Sequence, residues 1–507
     1  MPDTLPDYKR SALQNRLNNL IEEYEAANNQ LSRTLSDVDR LRLRIQGAHL
    51  DKQIQEIRQE LAPFVEQGVV SQDPHIRQLQ DEMENLKRLL QQMSEKIEGN
   101  AAPDKQPFSV LRVQLLHREA SKMEIRGLKV PGGGEPRTEV ELPFSFDELK
   151  AVLKALDVGA FAPERFKAEY VQALESLGLL HDNRLHAEFH KIVGQKLYRA
   201  LFAGPMQTEL SRARDKPPVA CQLCFDPEDT LLAQFPWEVL HDGSTHPLLT
   251  KNGLELTRYI TFGEKPTPFK VTPPLKVLFV TPRPDNEDRL PDANEVQAIT
   301  KALEPLQQTG KLDWEYLNPP TWDALESTLN QQVFHIVHFD GHGTFARRCP
   351  VCDKAHYPNT TQCVACEGDM SDNPPKGYLH FEDDAKHSDP VSVDDLTTLF
   401  HNADTRLVVL SACGSAVTQG TSVFNGVAPG LIQAGVPAVL GMQGSPPVKA
   451  MVKFFERVYS MLAEAKRLPD AVNSGRRAIS RDKPPAWFMP VVYLRSSDDT
   501  YGQLFTQ

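Results

Sequence analysis

The sequence has 507 residues, 40% of which are hydrophobic, and a formal net charge of −12. A chain of this length is expected to form roughly two to four domains, because single cores stop growing at about 250 to 300 residues. The acidic balance argues against a polyanion as the main partner, although it leaves a local basic patch open.

Targeting and redox features favour the cytoplasm. No apolar run approaches the roughly 18 residues that span a bilayer, and residues 1–17 lack the apolar stretch and cleavage site of a signal peptide. The seven cysteines are an odd number in a chain without an export signal, which argues against a disulfide framework. We therefore expect a cytoplasmic protein without a membrane partner, whose cysteines are ligands, nucleophiles or core residues.

Residues 1–100 carry a helical pattern. Apolar side chains recur in steps of three and four over residues 13–64 and again, after a break at 66–74, over residues 79–93. One narrow apolar seam is typical of long helices that fold back as a hairpin or pair with another chain, so we predict a helical coiled-coil, effector-associated region. Its role is either a spacer or oligomerisation element, or a sensor that docks a regulatory partner.

Residues 108–265 are predicted to be an α/β unit that follows a linker at 99–107. Alternating apolar residues predict three strands before Ser145, which is expected to cap a helix. Cys221 and Cys224 have the CxxC spacing of a redox pair or half a metal site. Positions 221 and 224 of a strand point to opposite faces, however, so we predict that both thiols are buried core residues.

Residues 273–500 alternate strands with helices. Apolar strands are predicted at 277–280, 333–339, 407–412 and 436–440. Near-continuous apolar strands separated by helices indicate an α/β fold with a mostly parallel sheet that helices cover on both faces. Active sites of such sheets lie beyond the carboxyl ends of the strands, where this sequence has HFDGHG at 338–343 and SACGS at 411–415.

These two stretches make His342 and Cys413 candidates for a catalytic pair. A thiol is a strong nucleophile as its thiolate, and a neighbouring imidazole can take its proton and return one to a leaving amine. Gly341 and Gly343 flank His342 and permit a tight turn. A lone cysteine at a strand end is more often a buried thiol, so the combination of the two stretches carries the interpretation.

The other titratable residues of the first stretch have more than one interpretation. His338 and Asp340 share the strand alternation of His342, and His338 is predicted to support the strand or the catalytic pair. His335 has the opposite parity and is predicted to be a structural histidine that faces a covering helix. Asp340 has three possible roles, which are orienting the base, attracting a basic substrate side chain, and capping the turn.

Taken together, the motifs resemble the CHAT branch of the caspase-like cysteine peptidases, which is related to separase. The resemblance covers roughly residues 108–500. It rests on HFDGHG together with FPWEVLHDG at 235–243, VVLSACGS at 408–415, GVAPGLIQAGVPAVLGMQG at 426–444 and PAWFMPVVYL at 485–494.

The resemblance implies a caspase-like fold in which His342 is the general base and Cys413 the nucleophile. The backbone N–H groups of Gly343 and Cys413 would form the oxyanion hole, and residues 108–265 would be a non-catalytic companion of the catalytic unit at 273–500. Such a fold places substrate contacts after its fourth strand, which makes Met442 and Gln443 weak candidates. The resemblance also implies regulated cleavage of a partner protein in bacterial antiviral defence or cell death, for example of a gasdermin-like pore former.

An insertion separates the two catalytic stretches. Cys349, Cys352, Cys363 and Cys366 form two CxxC pairs with ten residues between them. Two such pairs can supply four thiolates to a tetrahedral structural zinc; His356 could replace one thiolate, but the four cysteines already close the site. We predict a zinc ribbon at 346–375, whose removal would leave a spacing between His342 and Cys413 near the roughly 50 residues typical of caspases.

Two other functions remain open. The catalytic pair could be vestigial in a scaffold protein, which the presence of both residues and their flanking glycines argues against. The ribbon could instead sense nucleic acid, although its charges are mixed and Tyr357 is its one aromatic platform. We therefore predict a caspase-like cysteine endopeptidase that acts on a protein substrate.

Overall fold

The structure is a computed structural model, and the chain divides into two compact units, Met1–Gln106 and Pro107–Gln507. The structure describes residues 15–16, 19–20, 56–57, 108–119, 121–158, 166–225, 232–251, 253–259, 266–287, 295–411, 426–444, 446–483, 485–495 and 500–506.

The first unit is described at six positions, all of them helical. Leu20 and Ile57 are buried, and Arg16 forms an ion pair with Glu56 at 3.6 Å. The ion pair joins two segments of the predicted helical region. The rest of the apolar seam and the predicted coiled coil lie outside the described residues.

The second unit alternates strands and helices along most of its length. Its strands are β1 Ser109–Glu119, β2 Lys122–Lys129, β3 Arg137–Glu141, β4 Leu180–His181, β5 Arg184–Leu185, β6 Val219–Cys224, β7 Leu254–Tyr259, β8 Phe269–Lys270, β9 Leu275–Val280, β10 Leu312–Tyr316, β11 Ile336–Phe339, β12 Gly343–Arg348, β13 Ala355–His356, β14 Lys376–Glu382, β15 Ser388–Ser392, β16 Leu407–Leu410, β17 Ala438–Met442, β18 Pro490–Leu494 and β19 Phe505–Thr506. Its α-helices are α1 Phe146–Val158, α2 Ala168–Ser176, α3 Phe189–Leu201, α4 Pro205–Arg214, α5 Glu295–Gln308, α6 Trp322–Gln331, α7 Val393–Asn402, α8 Val427–Gln433, α9 Val448–Ala463 and α10 Leu468–Ile479.

The central feature of this unit is an eleven-stranded sheet in the order β10-β9-β11-β16-β17-β18-β7-β6-β1-β2-β3. Seven of the neighbouring pairs in this order are parallel and three are antiparallel. The pairing of Tyr493 with Arg258 joins the strands of residues 275–494 to those of residues 109–259. The predicted α/β class, with a mostly parallel sheet flanked by helices, is confirmed.

Local sequence signals place several elements where they were expected. The Ser145 hydroxyl accepts the N–H of Glu148, and the Glu148 carboxylate accepts the N–H of Ser145, so a capping box begins α1. Strand β6 is buried at every position, which confirms that Cys221 and Cys224 are core thiols. Burial raises the pKa of Cys221 to about 12, as expected of a cysteine without a redox role.

A second sheet has four strands in the order β13-β12-β14-β15, and the sequence patterns did not predict it. Strand β12 starts immediately after His342 and pairs antiparallel with β14, from Gly343 opposite Leu379 to Ala346 opposite Lys376. The cysteine-rich insertion lies between these two strands in the sequence and conceals their hairpin pattern. The predicted strand at 333–339 is also shorter in the structure and begins at Ile336, opposite Leu407, where its neighbour β16 begins.

No helix in the described part of the chain is both long enough and apolar enough to cross a membrane.

Candidate active site and metal site

Strands β11 and β16 are neighbours in the sheet and run parallel, with Phe339 paired to Leu410. The Ser411 N–H donates to the carbonyl oxygen of Phe339 at 2.9 Å, which extends this pairing beyond the strand end. His342 follows Phe339 by three residues, and Cys413 follows Leu410 by three residues. Cys413 itself, the predicted nucleophile, lies outside the described residues.

His342 occupies a tight turn between β11 and β12. It is buried, with 7% of its surface exposed, and its carbonyl oxygen accepts the N–H of His380 at 3.0 Å. A Cβ atom at Gly341 would come within 2.8 Å of the Phe339 ring and 2.9 Å of the Pro282 ring. Glycine is therefore required at this position for the chain to turn so closely against the preceding strand.

Asp340 forms an ion pair that the sequence did not reveal. Its carboxylate lies 2.6 Å from Arg283, and the same guanidinium donates to the Asp340 carbonyl oxygen at 2.5 Å. The backbone N–H of Arg283 donates to the Glu382 carboxylate at 2.7 Å. Among the three roles considered for Asp340, these contacts favour stabilisation of the turn, because Arg283 offsets the carboxylate charge within the protein.

His380 connects four segments around the turn of His342. Its Nε2 lies 2.9 Å from the Thr344 hydroxyl, and its Nδ1 lies 2.6 Å from the Glu287 carboxylate and 2.9 Å from the Ser388 hydroxyl. The hydrogen bond with His380 lowers the pKa of Glu287 to about 2, against the effect of burial and with further contributions from Ser388 and from the charges of His380 and His342. Sequence reasoning missed this cluster, because His380 and Glu287 are 93 residues apart.

His338 is a core residue of the sheet. Its ring is fully buried against Phe279 and Phe455, and its Nδ1 lies 2.7 Å from the Tyr459 hydroxyl on α9. Burial lowers the pKa of His338 to about 3, so the ring is neutral at ordinary pH. These contacts agree with support of the strand, one of the two roles predicted for it.

His335 lies at the opposite end of the same strand. Its Nδ1 accepts the N–H of Lys276 at 2.9 Å, and its ring packs between Phe269 and Phe505. The residue is structural in these contacts. The prediction that it faces a helix is wrong, because the β8–β19 pair supplies the rings against which it packs.

The candidate substrate residue Met442 is the last residue of β17, and Gln443 follows it. Met442 is buried, and the Gln443 amide donates to the Phe488 carbonyl oxygen at 2.7 Å and to the Glu238 carboxylate at 3.2 Å. Glu238 in turn forms a buried ion pair with Arg258 at 2.7 Å. The FPWEVLHDG stretch thus supplies a carboxylate that ties the loop after β17 to the earlier half of the sheet, while substrate contact by Met442 and Gln443 stays a prediction.

The four cysteines of the insertion converge. The sulfur atoms of Cys349, Cys352, Cys363 and Cys366 all lie within 4.8 Å of one another. The two CxxC turns share one backbone pattern, because the N–H of Asp353 donates to the Cys349 carbonyl at 2.9 Å and the N–H of Glu367 donates to the Cys363 carbonyl at 2.9 Å. Asp353 and Glu367 both have a φ of 57°, in the left-handed region.

This cluster fits a tetrahedral metal ion. A zinc ion with bonds of about 2.3 Å holds its four sulfur ligands about 3.8 Å apart, and the pairs Cys349–Cys366 and Cys352–Cys363 are each separated by 3.5 Å. Burial raises the pKa of Cys363, but the N–H groups of Ala365 and Cys366, with the neighbouring thiols, outweigh burial and lower it to about 6. Such a thiol readily becomes the thiolate that a metal binds.

Polar contacts fasten this segment to β12. The Arg347 guanidinium donates to the carbonyl oxygens of Pro358 at 3.1 Å and Met370 at 2.6 Å. The Asn373 amide donates to the Arg348 carbonyl oxygen at 2.7 Å. The cysteine cluster is therefore held at the far end of the strand that begins next to His342.

Residues 191–499 match the family model of the CHAT domain. The chain belongs to the CHAT domain family. At the level of the family, this membership supports a caspase-like cysteine peptidase, as the motifs had indicated. The CHAT match spans His342, Gly343 and the four clustered cysteines, together with Cys413.

Three further comparisons accompany the CHAT match. Residues 4–64 match the model of effector-associated domain 9, within the predicted helical region. No curated protein sequence matches the chain significantly. The chain is similar to one in the crystal structure of the Saccharomyces cerevisiae separase–securin complex, with 10% identity and a TM-score of 0.39 over 95% of this chain and 40% of that one. The chain thus spans about two fifths of the length of the separase-complex chain.

Proposed function

We propose that the chain is a cysteine endopeptidase with His342 as general base and Cys413 as nucleophile. The observation that carries this proposal is the pairing of Phe339 with Leu410 in neighbouring parallel strands. Phe339 precedes His342 by three positions and Leu410 precedes Cys413 by three positions, and both strands end at the same edge of the sheet. Membership of a family of cysteine peptidases supports the same assignment.

The reaction needs a base, a nucleophile and donors for an oxyanion. His342 takes the proton from the Cys413 thiol, and the thiolate attacks the carbonyl carbon of the scissile peptide bond. The tetrahedral intermediate then expels the amine, which receives the proton from His342. Water attacks the resulting thioester and releases the acid and the free enzyme.

The Gly343 N–H is a suitable oxyanion donor. The N–H of His380 donates to the carbonyl oxygen of His342, which identifies His342 and His380 as a hydrogen-bonded pair of the β12–β14 ladder. Gly343 and Leu379 are then a non-hydrogen-bonded pair, so the N–H of Gly343 points away from β14. Strand β13 pairs with Arg347 and Arg348 and does not reach Gly343. Together with the N–H of Cys413, this group would stabilise the intermediate.

The four clustered cysteines are proposed to hold a structural zinc ion. A full set of four protein thiolates leaves no open position for water, so the ion would stabilise the fold of the ribbon and take no part in the cleavage. His356 lies 3.2 Å from the Cys363 sulfur and is assigned to the surroundings of the site rather than to its ligands.

The substrate is proposed to be a partner protein that is cut on a signal. The match of residues 4–64 to an effector-associated domain supports a regulatory partner or self-association through residues 1–100. A bacterial defence or cell-death protease, for example one that activates a gasdermin-like pore former, fits this combination of a sensor region and a peptidase.

Cleavage of a fluorogenic peptide library tests the proposal. The wild-type chain is expected to cleave a subset of peptides, and Cys413→Ala should not. Mass spectrometry after brief treatment with iodoacetamide should find Cys413 alkylated faster than the buried Cys221 of the same chain. Full cleavage by Cys413→Ala would refute the dyad, whereas a chain that cleaves neither peptides nor candidate partner proteins would favour the scaffold or the nucleic-acid sensor.

A further inference from the structure

The backbone of His342 is held by His380 on the neighbouring strand. The N–H of His380 donates to the carbonyl oxygen of His342 at 3.0 Å, at the point where the β12–β14 ladder begins. Gly343 and Leu379 form the next pair of that ladder. The position of the proposed base therefore depends on the position of His380.

The His380 imidazole extends this contact to other segments. Its Nε2 lies 2.9 Å from the Thr344 hydroxyl, two residues after His342. Its Nδ1 lies 2.6 Å from the Glu287 carboxylate on the loop after β9 and 2.9 Å from the Ser388 hydroxyl at the start of β15. The His380 side chain is 9% exposed and that of Glu287 is 26% exposed, so the contact is partly shielded from water.

The ionisation of Glu287 determines which ring nitrogen of His380 carries a proton. Glu287 is ionised at neutral pH, because the hydrogen bond with His380 and the further contact with Ser388 lower its pKa, against the effect of burial. An ionised carboxylate accepts hydrogen bonds only, so the Nδ1 of His380 carries the proton.

Two other acidic residues near this turn, Asp340 and Glu382, have Arg283 as their partner. Arg283 and Asp340 form an ion pair at 2.6 Å, and the Arg283 N–H donates to the Glu382 carboxylate at 2.7 Å. The Asp340 charge is thus offset by a guanidinium, whereas the Glu287 carboxylate contacts His380.

We propose that His380 and Glu287 are positioning residues for His342. His380 fixes the backbone of the base and anchors the hairpin to the Glu287 carboxylate. This inference rests on the proposed function only in assigning His342 as the base.

Kinetics of conservative variants test the positioning role. Glu287→Gln keeps the shape of the side chain and removes its charge, and we expect kcat to fall about 10- to 100-fold, with KM within about twofold of the wild type. His387→Asn is the matched control, since it changes an exposed histidine in the turn between β14 and β15 that lies 3.9 Å from Asp383, and it should leave kcat unchanged.

Two replacements of His380 separate its two contacts. In His380→Asn, the side-chain amide nitrogen can take the place of Nδ1 and donate to Glu287. In His380→Gln, the side-chain amide nitrogen can instead take the place of Nε2 beside Thr344. We expect His380→Asn to retain at least about half of the wild-type kcat and His380→Gln to lose about as much as Glu287→Gln. Rescue by glutamine instead of asparagine would overturn the role of Glu287.

A measurement without turnover separates this inference from the proposed function. Hydrogen exchange of the full chain, followed by mass spectrometry, should be faster over residues 342–346 and 378–380 in Glu287→Gln than in the wild type, because the hairpin loses its anchor. Unchanged exchange in these two segments would overturn the inference even if peptides are cleaved. Absence of cleavage together with the faster exchange would refute the proposed function and support the positioning of His342.

Discussion

Phe339 and Leu410 lie opposite each other in the parallel strands β11 and β16, although 71 positions separate them in the chain. The pairing brings the ends of two distant stretches to one edge of the sheet. This pairing supports the proposed dyad, because His342 follows Phe339 by three residues and Cys413 follows Leu410 by three residues. The consequences of this arrangement can be measured.

The dyad should behave as one unit when it is mutated. Cys413→Ala and His342→Ala are each expected to reduce kcat/KM on the order of 10⁴-fold, and the double variant should be no worse than either single variant. Circular dichroism should show an unchanged fold. A double variant whose loss equals the product of the two single losses would mean that the residues act independently.

Removal of two cysteines should release the metal and disturb the ribbon alone. The variant Cys349→Ser with Cys352→Ser is expected to lose a bound zinc that the wild type holds at about one ion per chain, because two thiolates cannot close the tetrahedral site. In limited proteolysis of this variant, new cleavage sites should appear only within residues 349–375, and the eleven-stranded sheet should stay folded. Elemental analysis measures the metal, and His356→Ala is the matched control that should keep it.

The same ribbon variant distinguishes two effects on activity. If the ribbon restrains His342 through β12, cleavage of short peptides and of a whole protein should fall in parallel. If it contacts the substrate, cleavage of the whole protein should fall more. A metal-free wild-type preparation with full activity on both would exclude the ribbon from the mechanism.

Deletion of residues 1–100 should separate regulation from catalysis. Residues 107–507 form a compact unit of their own, so we expect the truncated chain to be soluble and to react with iodoacetamide at Cys413 like the full chain. Its mass in solution, or its activation by a partner, should change. An insoluble truncation would show instead that the helical region covers the core of the second unit.

His338 should make stability depend on pH. Its pKa is lowered to about 3 by burial, so between pH 6.5 and pH 3 the unfolded chain binds a proton that the folded chain does not. Stability should therefore fall as the pH drops through this window, with a slope from this group of up to about 1.4 kcal/mol per pH unit. Urea unfolding at pH 7 and pH 5 should show a weaker decline for the double variant His338→Phe with Tyr459→Phe.

The single variant Tyr459→Phe is a control for the double variant of His338 and Tyr459. Tyr459→Phe alone removes the hydroxyl 2.7 Å from the His338 Nδ1 and leaves a buried polar atom unsatisfied, at a cost of about 1 to 3 kcal/mol. A decline in stability at pH 5 that is equal in the wild type and the double variant would assign the pH dependence to other groups.

Glu238 should be important for stability because its partner is buried with it. Glu238→Gln leaves the Arg258 charge without its carboxylate, and we expect a loss of about 3 to 5 kcal/mol in the free energy of unfolding. Glu135→Gln is a suitable control, since Glu135 pairs with Arg137 on the surface at 2.9 Å and should contribute less than about 1 kcal/mol. Equal effects of the two substitutions would contradict the buried pair.

The sequence predicted elements whose signals are local. The apolar strands around Phe339 and Leu410, the Ser145 cap and the two CxxC pairs each depend on residues a few positions apart. The contacts around the base were missed because they are long-range: His380 with Glu287, Arg283 with Asp340, and Gln443 with Glu238 span 93, 57 and 205 residues. The periodicity of a sequence does not indicate which side chains meet across separations of this length.

The hairpin of β12 and β14 closes before the cysteine-rich segment begins, since Ala346 already pairs with Lys376. Extra length in a closed loop costs little, because the closure entropy grows only with the logarithm of the number of residues. A module placed between these two residues can therefore be exchanged for another with nearby ends while the hairpin stays paired. For protein engineering, this position is a graft site where a ligand-binding domain could replace the ribbon and place the adjacent turn under the control of a chosen molecule.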